Sequence, residues 1–242
     1  MRAMVFAAGL GTRLRQITQV TPKCLVEIGG VPMLERVLGR LAAAGVTRAV
    51  VNVHHRRAQV ESFVRSRRWD LEVLLSPEES LLGTGGGLKN ARDLLGATEP
   101  FFVHNADIFS ELDLTSLAQA HRPADLATLA VMDRPTSRAL LFDERGVLVG
   151  WANGDGGTES VPGTVGAVKR RAFSGVQIVS PLIFDYLERD TGDFSIIRTY
   201  LHGARSGAFV REYAMDGVYW VDIGTPEKLA EVRARVGESS GG

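Results

Sequence analysis

Over its first two thirds the chain alternates short apolar runs with longer amphipathic stretches, and this pattern constrains the fold more than any other feature. Residues 4–8, 49–53, 71–75, 101–104 and 126–132 are short and rich in β-branched or aromatic side chains, which predicts strands. Between them, residues 33–44 place Leu34, Val37, Leu38 and Leu41 at the i, i+3, i+4 and i+7 positions of one helical face. Pro32 suits the first turn of that helix and Gly45 its C-terminal cap. Residues 58–67 and 88–95 predict two more helices. Alternation at this length implies βαβ units, hence an α/β fold with a mixed, mostly parallel sheet and helices on both faces.

The pattern changes after about residue 133. Residues 139–142 and 147–151, separated by Asp143-Glu144-Arg145-Gly146, predict a hairpin. A glycine-rich stretch follows, then a strand over 173–179 and a helix opened by Ser180-Pro181. Strands over 208–213 and 218–221 precede a last helix, 226–236, capped by Thr225. No repeat and no long linker divides the chain. The expectation is a single domain over 1–236, whose later part adds a small antiparallel layer, and a flexible tail over 237–242.

Composition excludes several classes of function. The 28 basic and 28 acidic residues cancel, leaving no overall field to hold nucleic acid or an anionic membrane. The single cysteine, Cys24, rules out an intrachain disulfide framework and a CxxC metal knuckle. No apolar run approaches the roughly 18 residues of a membrane span. The opening apolar run is too short for a signal peptide, so a cytoplasmic location is expected. The zero net charge hides an asymmetry. Residues 1–60 hold nine basic and two acidic side chains, whereas 98–163 hold ten acidic and four basic ones. An anion site at the front and a cation or hydroxyl site in the middle would leave this pattern, and so would chance.

Residues 4–14 carry the most information. A strand delivers the chain into a turn where Gly9 and Gly11 let backbone N–H groups approach a ligand, with Thr12 and Arg13 alongside. A nest of amides of this kind suits a polyphosphate. A dinucleotide fingerprint needs a third small residue, but Leu14 stands in its place. A Walker loop needs Lys-Ser/Thr after its glycines, and neither 9–14 nor 83–90 supplies it.

The segment Ala7-Ala8-Gly9-Leu10-Gly11-Thr12-Arg13-Leu14, followed by Pro22-Lys23, resembles the sugar-phosphate nucleotidyltransferases, or sugar nucleotide pyrophosphorylases. Their signature is a strand, AAGxGTRL, and a Pro-Lys about ten residues on. The resemblance runs across nearly the whole chain, and Gln16 departs from it where a proline is usual. It implies the Rossmann-like nucleotide-diphospho-sugar transferase fold. It also implies nucleotide contacts at Ala7, Ala8, Gly9, Gly11, Thr12, Arg13 and Lys23.

Four later segments extend the likeness. Three consecutive glycines, Gly85-Gly86-Gly87, cost helix stability of about 1 kcal/mol each against alanine, which points to a close approach of backbone. In the family this region encloses base and ribose, implying Glu78, Gly83, Thr84 and Gly85 as nucleotide contacts. Asn105-Ala106-Asp107 ends a strand at the edge where open α/β sheets bind ligands, although an aspartate there also forms plain turns. By resemblance Asn105 meets nucleotide and sugar, and Asp107 binds magnesium (Mg2+). Tyr219-Trp220-Val221-Asp222-Ile223-Gly224-Thr225-Pro226 repeats the arrangement, and Asp222 matches the second metal aspartate. Phe173-Ser174-Gly175 matches the sugar-contacting strand, with Asp193 in the sugar set and a β-bulge as the alternative reading of Gly175. The Glu-Lys-Pro element of many relatives is missing, leaving Lys169 or Arg170 as substitutes for its lysine. These elements look most like the muramic acid 1-phosphate uridylyltransferase branch.

The resemblance therefore implies that a sugar 1-phosphate attacks the α-phosphorus of a nucleoside triphosphate and displaces pyrophosphate. Arg13, Lys23 and Asp107 carry the chemistry: Arg13 holds the triphosphate, Lys23 the α-phosphate, and Asp107 with Asp222 the Mg2+. The phosphate monoester is already an anionic nucleophile, so the lack of a His or Cys constellation is consistent. Expected partners are the two substrates, with no nucleic acid or membrane, in a monomer or small homo-oligomer. Three rivals stand: a guanylyltransferase for mannose or heptose 1-phosphate, a transferase for a non-sugar phosphate, and a silent sugar-nucleotide-binding regulator. His54, His55, Arg65, Arg67, Arg68, Trp69 and Trp151 carry no functional expectation. Cys24, beside Lys23, is expected to let a thiol reagent block the site.

Overall fold

The computed structural model describes residues 1–14, 16–164 and 166–237. Four strands, Arg2–Phe6, Arg48–Val53, Glu72–Pro77 and Phe101–Asn105, run parallel in the spatial order third, second, first, fourth. Val5, Val50, Val51, Phe101 and Phe102 are fully buried. A parallel sheet covered on both faces requires such continuous apolar strands.

The helices Met33–Ala43 and Arg57–Arg65 cover one face, where Leu34, Val37, Leu38, Leu41, Val60 and Val64 meet Val5 and Val51. Gly45 follows the first of these with φ +83°, the left-handed conformation that ends a helix. On the other face the helices Gly83–Asn90 and Arg92–Leu95 set Leu88 and Leu95 against Met4, Val50 and Phe101. The helix expected over 88–95 thus begins earlier and runs through its three glycines.

The eleven-residue strand Lys169–Val179 continues the sheet. Its C-terminal half lies antiparallel between Phe101–Asn105 and Asp125–Met132, and its N-terminal end pairs with Ala139–Phe142. That second pairing opens the antiparallel layer, which Leu148–Ala152 and Thr158–Ser160 complete. Phe209–Ala214 lies parallel to Asp125–Met132 on the far edge. The helices Leu114–Ala120, capped by Asp113, and Ile196–Arg205, capped by Ser195, are absent from the sequence expectation.

A third apolar cluster ties the front of the chain to its end. Leu14, Val26, Ile28 and Met33 pack with Val221, Ile223, Leu229 and Val232. The last helix, Pro226–Val236, is capped by the Thr225 hydroxyl as expected. It therefore braces the segment after the glycine turn. The side chain of Gln16 and residues 238–242 lie outside the described residues. Among the described residues no helix is long and apolar enough to cross a membrane.

Candidate active site

The strand order reverses at Arg2–Phe6, which has Arg48–Val53 on one side and Phe101–Asn105 on the other. Crossovers leave these strands on opposite faces, so their carboxyl ends diverge and open a crevice. A cavity of about 220 Å³ lies there. Its walls include Ala7, Ala8 and Gly9 from the first strand's exit, Asn105 and Asp107 from the fourth's, and Lys23, Glu78, Gly83 and Thr84. Nine of the residues expected from sequence to contact substrate or metal thus line one cavity, and Cys24 lines it as well. Gly11, Thr12, Arg13, Gly85, Phe173, Ser174, Gly175, Asp193 and Asp222 do not line it.

Asn52, which sequence reasoning passed over, organises one wall. It sits at the carboxyl end of its strand and is 3% exposed. Its Oδ1 accepts from Ala7 N–H at 2.7 Å, and its Nδ2 donates to Glu78 Oε1 at 2.7 Å. The other Glu78 oxygen accepts from Leu82 N–H at 3.2 Å. One buried asparagine and one buried glutamate therefore fasten the glycine turn to the loop that opens the next helix.

The glycines of that helix meet a segment far along the chain. A Cβ on Gly85 would run into the Phe194 ring, and one on Gly86 would stand 2.5 Å from the Gly192 carbonyl. Gly85 N–H donates to Phe194 O at 2.9 Å, and Ile196 N–H donates to Thr84 Oγ1 at 2.9 Å. The close approach read from Gly85-Gly86-Gly87 is real, and its partner at Gly85 and Gly86 is the 192–194 segment. Asp193 enters the same junction, since a Cβ on Gly83 would collide with its carboxylate.

Charge is concentrated at the mouth. Lys23 Nζ and Asp107 Oδ2 form an ion pair, the lysine side chain being 12% exposed and the aspartate 28%. Asp222 pairs in register with Ile108, and Ile223 N–H donates to Asp107 O at 2.9 Å. The two aspartates thus sit on neighbouring positions of paired segments. Asp222 accepts from Lys228 Nζ, and Arg13 lies close by: a Cβ on Gly224 would be 2.5 Å from Asp222 Oδ1 and 3.0 Å from Arg13 Nη2. Among the described residues no three His, Cys, Asp or Glu side chains cluster as a metal cage. Two partly exposed carboxylates, each balanced by a lysine, fit a hard cation that completes its shell with substrate phosphate oxygens.

The strand proposed to face the sugar is distorted. Its register against Asp125–Met132 shifts between Phe173 and Gln177, and Gly175 adopts φ +80°. A Cβ on Gly175 would stand 2.6 Å from Asn105 Nδ2, so this glycine lets the Asn105 side chain lie against the strand at the cavity edge. Ser174 is buried, and its carbonyl accepts from Trp220 Nε1 at 2.8 Å.

Residues 2–142 match the nucleotidyl transferase family. The chain belongs to this family. It is 34% identical to the N-acetylmuramate alpha-1-phosphate uridylyltransferase of Caulobacter vibrioides, over 98% of this chain and 97% of that protein. It is 32% identical to the mannose-1-phosphate guanyltransferase of Schizosaccharomyces pombe, over 94% of this chain. There it spans only 62% of the relative's length. In fold it is similar to a UDP-glucose pyrophosphorylase from Acinetobacter baumanii, with a TM-score of 0.81 at 17% identity over 98% of this chain and 93% of that one.

Within this nucleotidyl transferase domain Cys24 corrects one expectation. Cys24 lines the cavity but is 2% exposed, and burial pushes its pKa up to about 12. A protonated, shielded thiol reacts poorly. Lys169 lies in the antiparallel layer with Nζ 3.8 Å from Glu212, paired against Phe142. His54 Nδ1 lies 2.9 Å from the Glu78 carbonyl, and Trp69 packs on Phe63.

Proposed function

We propose that residues 1–236 act as one catalytic unit that transfers a nucleoside monophosphate from a nucleoside triphosphate to a sugar 1-phosphate, releasing pyrophosphate. The observation that carries this reading is the cavity at the strand reversal, where the glycine turn meets Lys23 and Asp107. UTP and N-acetylmuramic acid 1-phosphate are the favoured pair, because the uridylyltransferase relative matches along 97% of its own length. The guanyltransferase relative supports GTP with mannose 1-phosphate as the second reading.

The chemistry needs two anions brought together and little else, since the attacking phosphate is already ionised. Backbone N–H groups of the glycine turn bind the triphosphate, and Arg13 steadies its outer phosphates. Lys23 leaves Asp107 for the α-phosphate and stabilises the charge that develops there. Asp107 and Asp222 would hold a magnesium ion, which when bound supplies charge neutralisation at the phosphates. The buried Asn52–Glu78 pair keeps the turn and the base-side loop in register while substrates exchange.

The test is pyrophosphate release across the four common nucleoside triphosphates and a panel of sugar 1-phosphates. Release with UTP and N-acetylmuramic acid 1-phosphate above all other pairs is the expected result. No release with any pair would leave the silent regulatory reading in its place.

A further inference from the structure

Arg134 follows the strand Asp125–Met132 and is half-buried beside the acidic side of the site. Its guanidinium carbon lies 4.4 Å from the centroid of the Trp220 ring. Trp220 is itself fixed by its indole N–H to Ser174 O, and it stands two residues before Asp222. The donors of Arg134 are poorly used. Nη1 and Nη2 reach the carbonyls of Pro135 and Phe173 only at 3.5 Å each, and Nε is buried with no partner. Among the described residues no carboxylate lies within ion-pairing distance of it. Burial lowers its pKa while the nearby Asp222 charge raises it, so it remains a cation next to the site.

A planar cation held over an indole, with spare donors and no ion-pair partner among the described residues, is arranged to receive an oxyanion. The place of Arg134 says whose. It touches the Phe173 carbonyl, one residue from Ser174 and two from Gly175, and Gly175 lies against Asn105 at the cavity edge. The turn that suits a triphosphate lies elsewhere, after the first strand.

We infer that Arg134 binds an oxyanion of the acceptor sugar 1-phosphate, either its phosphate or a carboxylate on the sugar. This assignment rests on the transfer reading above and names a contact to the acceptor. Lys169 and Arg170, the cations considered for this task from sequence, belong to the strand end paired with Ala139–Phe142.

The test compares Arg134→Gln with the wild type on two acceptors, N-acetylmuramic acid 1-phosphate and N-acetylglucosamine 1-phosphate, which lacks the lactyl carboxylate. The acceptor KM should rise about tenfold or more, with the KM for the nucleoside triphosphate unchanged. A rise on the first acceptor alone assigns the carboxylate, and a rise on both assigns the phosphate. An unchanged acceptor KM, or an equal rise for the triphosphate, overturns the inference. Arg134→Lys and Arg134→Met separate binding from packing: lysine must bind acceptor more tightly than methionine, and equal affinity sinks the idea. Calorimetric titration with each acceptor alone keeps the two readings apart. Binding that depends on Arg134 without pyrophosphate release removes the transfer reading and leaves this one, whereas a wild type that binds neither acceptor overturns it.

Discussion

The side-chain amide of Asn52 donates to the buried Glu78 carboxylate at 2.7 Å, while its carbonyl oxygen accepts from Ala7 N–H. Asn52→Ala takes away the partner of Glu78 Oε1 and of the half-buried Ala7 N–H, at a place where Asn52 and Glu78 are both under 5% exposed. Leaving buried polar groups unpaired costs about 1–3 kcal/mol each. Urea unfolding should therefore show a loss of at least about 2 kcal/mol. Wild-type stability in this variant would mean that the pair does not join turn to loop.

Gly175→Ala probes the bulged strand. The residue would keep φ +80° and place its Cβ 2.6 Å from Asn105 Nδ2. Backbone strain of this kind costs about 1–2 kcal/mol, and Asn105 must also move. A lower Tm together with a raised substrate KM is expected. A variant with an unchanged Tm would show that the strand relaxes freely there.

Cys24 should resist modification in the folded protein. The rise in its pKa from 9.0 to about 12 lowers the thiolate fraction near neutral pH by roughly a thousandfold. Iodoacetamide at pH 7.5 should leave activity intact and label the cysteine only after denaturation. Rapid labelling of the native chain would contradict its burial.

His104 makes stability depend on pH. It is 1% exposed, and burial holds its pKa down from 6.5 to about 4, partly offset by the contact with the Asn105 carbonyl. Between these values the unfolded chain binds a proton that the folded chain does not. Stability from this residue is complete above about pH 6.5 and falls as pH drops toward 4, by roughly 3 kcal/mol in all. Urea titrations across this range should show that slope, and His104→Gln should flatten it. An equal slope in both proteins would assign the effect to other groups.

Much of this was legible in the sequence, for reasons that differ by element. The parallel strands announce themselves because burial on both faces demands unbroken apolar runs, as at Val50-Val51. The helix Gly83–Asn90 was displaced because three glycines argue against helix locally. Contacts with Gly192 and Phe194 override that preference, and no local pattern reveals them. Lys169-Arg170-Arg171 hides its strand because an edge layer tolerates charge. The helix Ile196–Arg205 had a readable signal, the Ser195 cap with Ile196, Tyr200 and Ala204 on one face. Asn52 also had one. It interrupts an apolar run one residue before the carboxyl edge, and Phe6 pairs with Asn52 on one side and Asn105 on the other. Arg134 had none, because its meaning comes from Trp220, some 86 positions away in sequence.

The central claim is that phosphate chemistry takes place where Lys23 meets Asp107. The most direct measurement is steady-state turnover of Lys23→Ala and Asp107→Asn, with UTP and N-acetylmuramic acid 1-phosphate and thermal melts alongside. Both should lose about 10²-fold or more in turnover at near-native Tm. Activity within a few-fold of wild type in either variant would contradict the assignment.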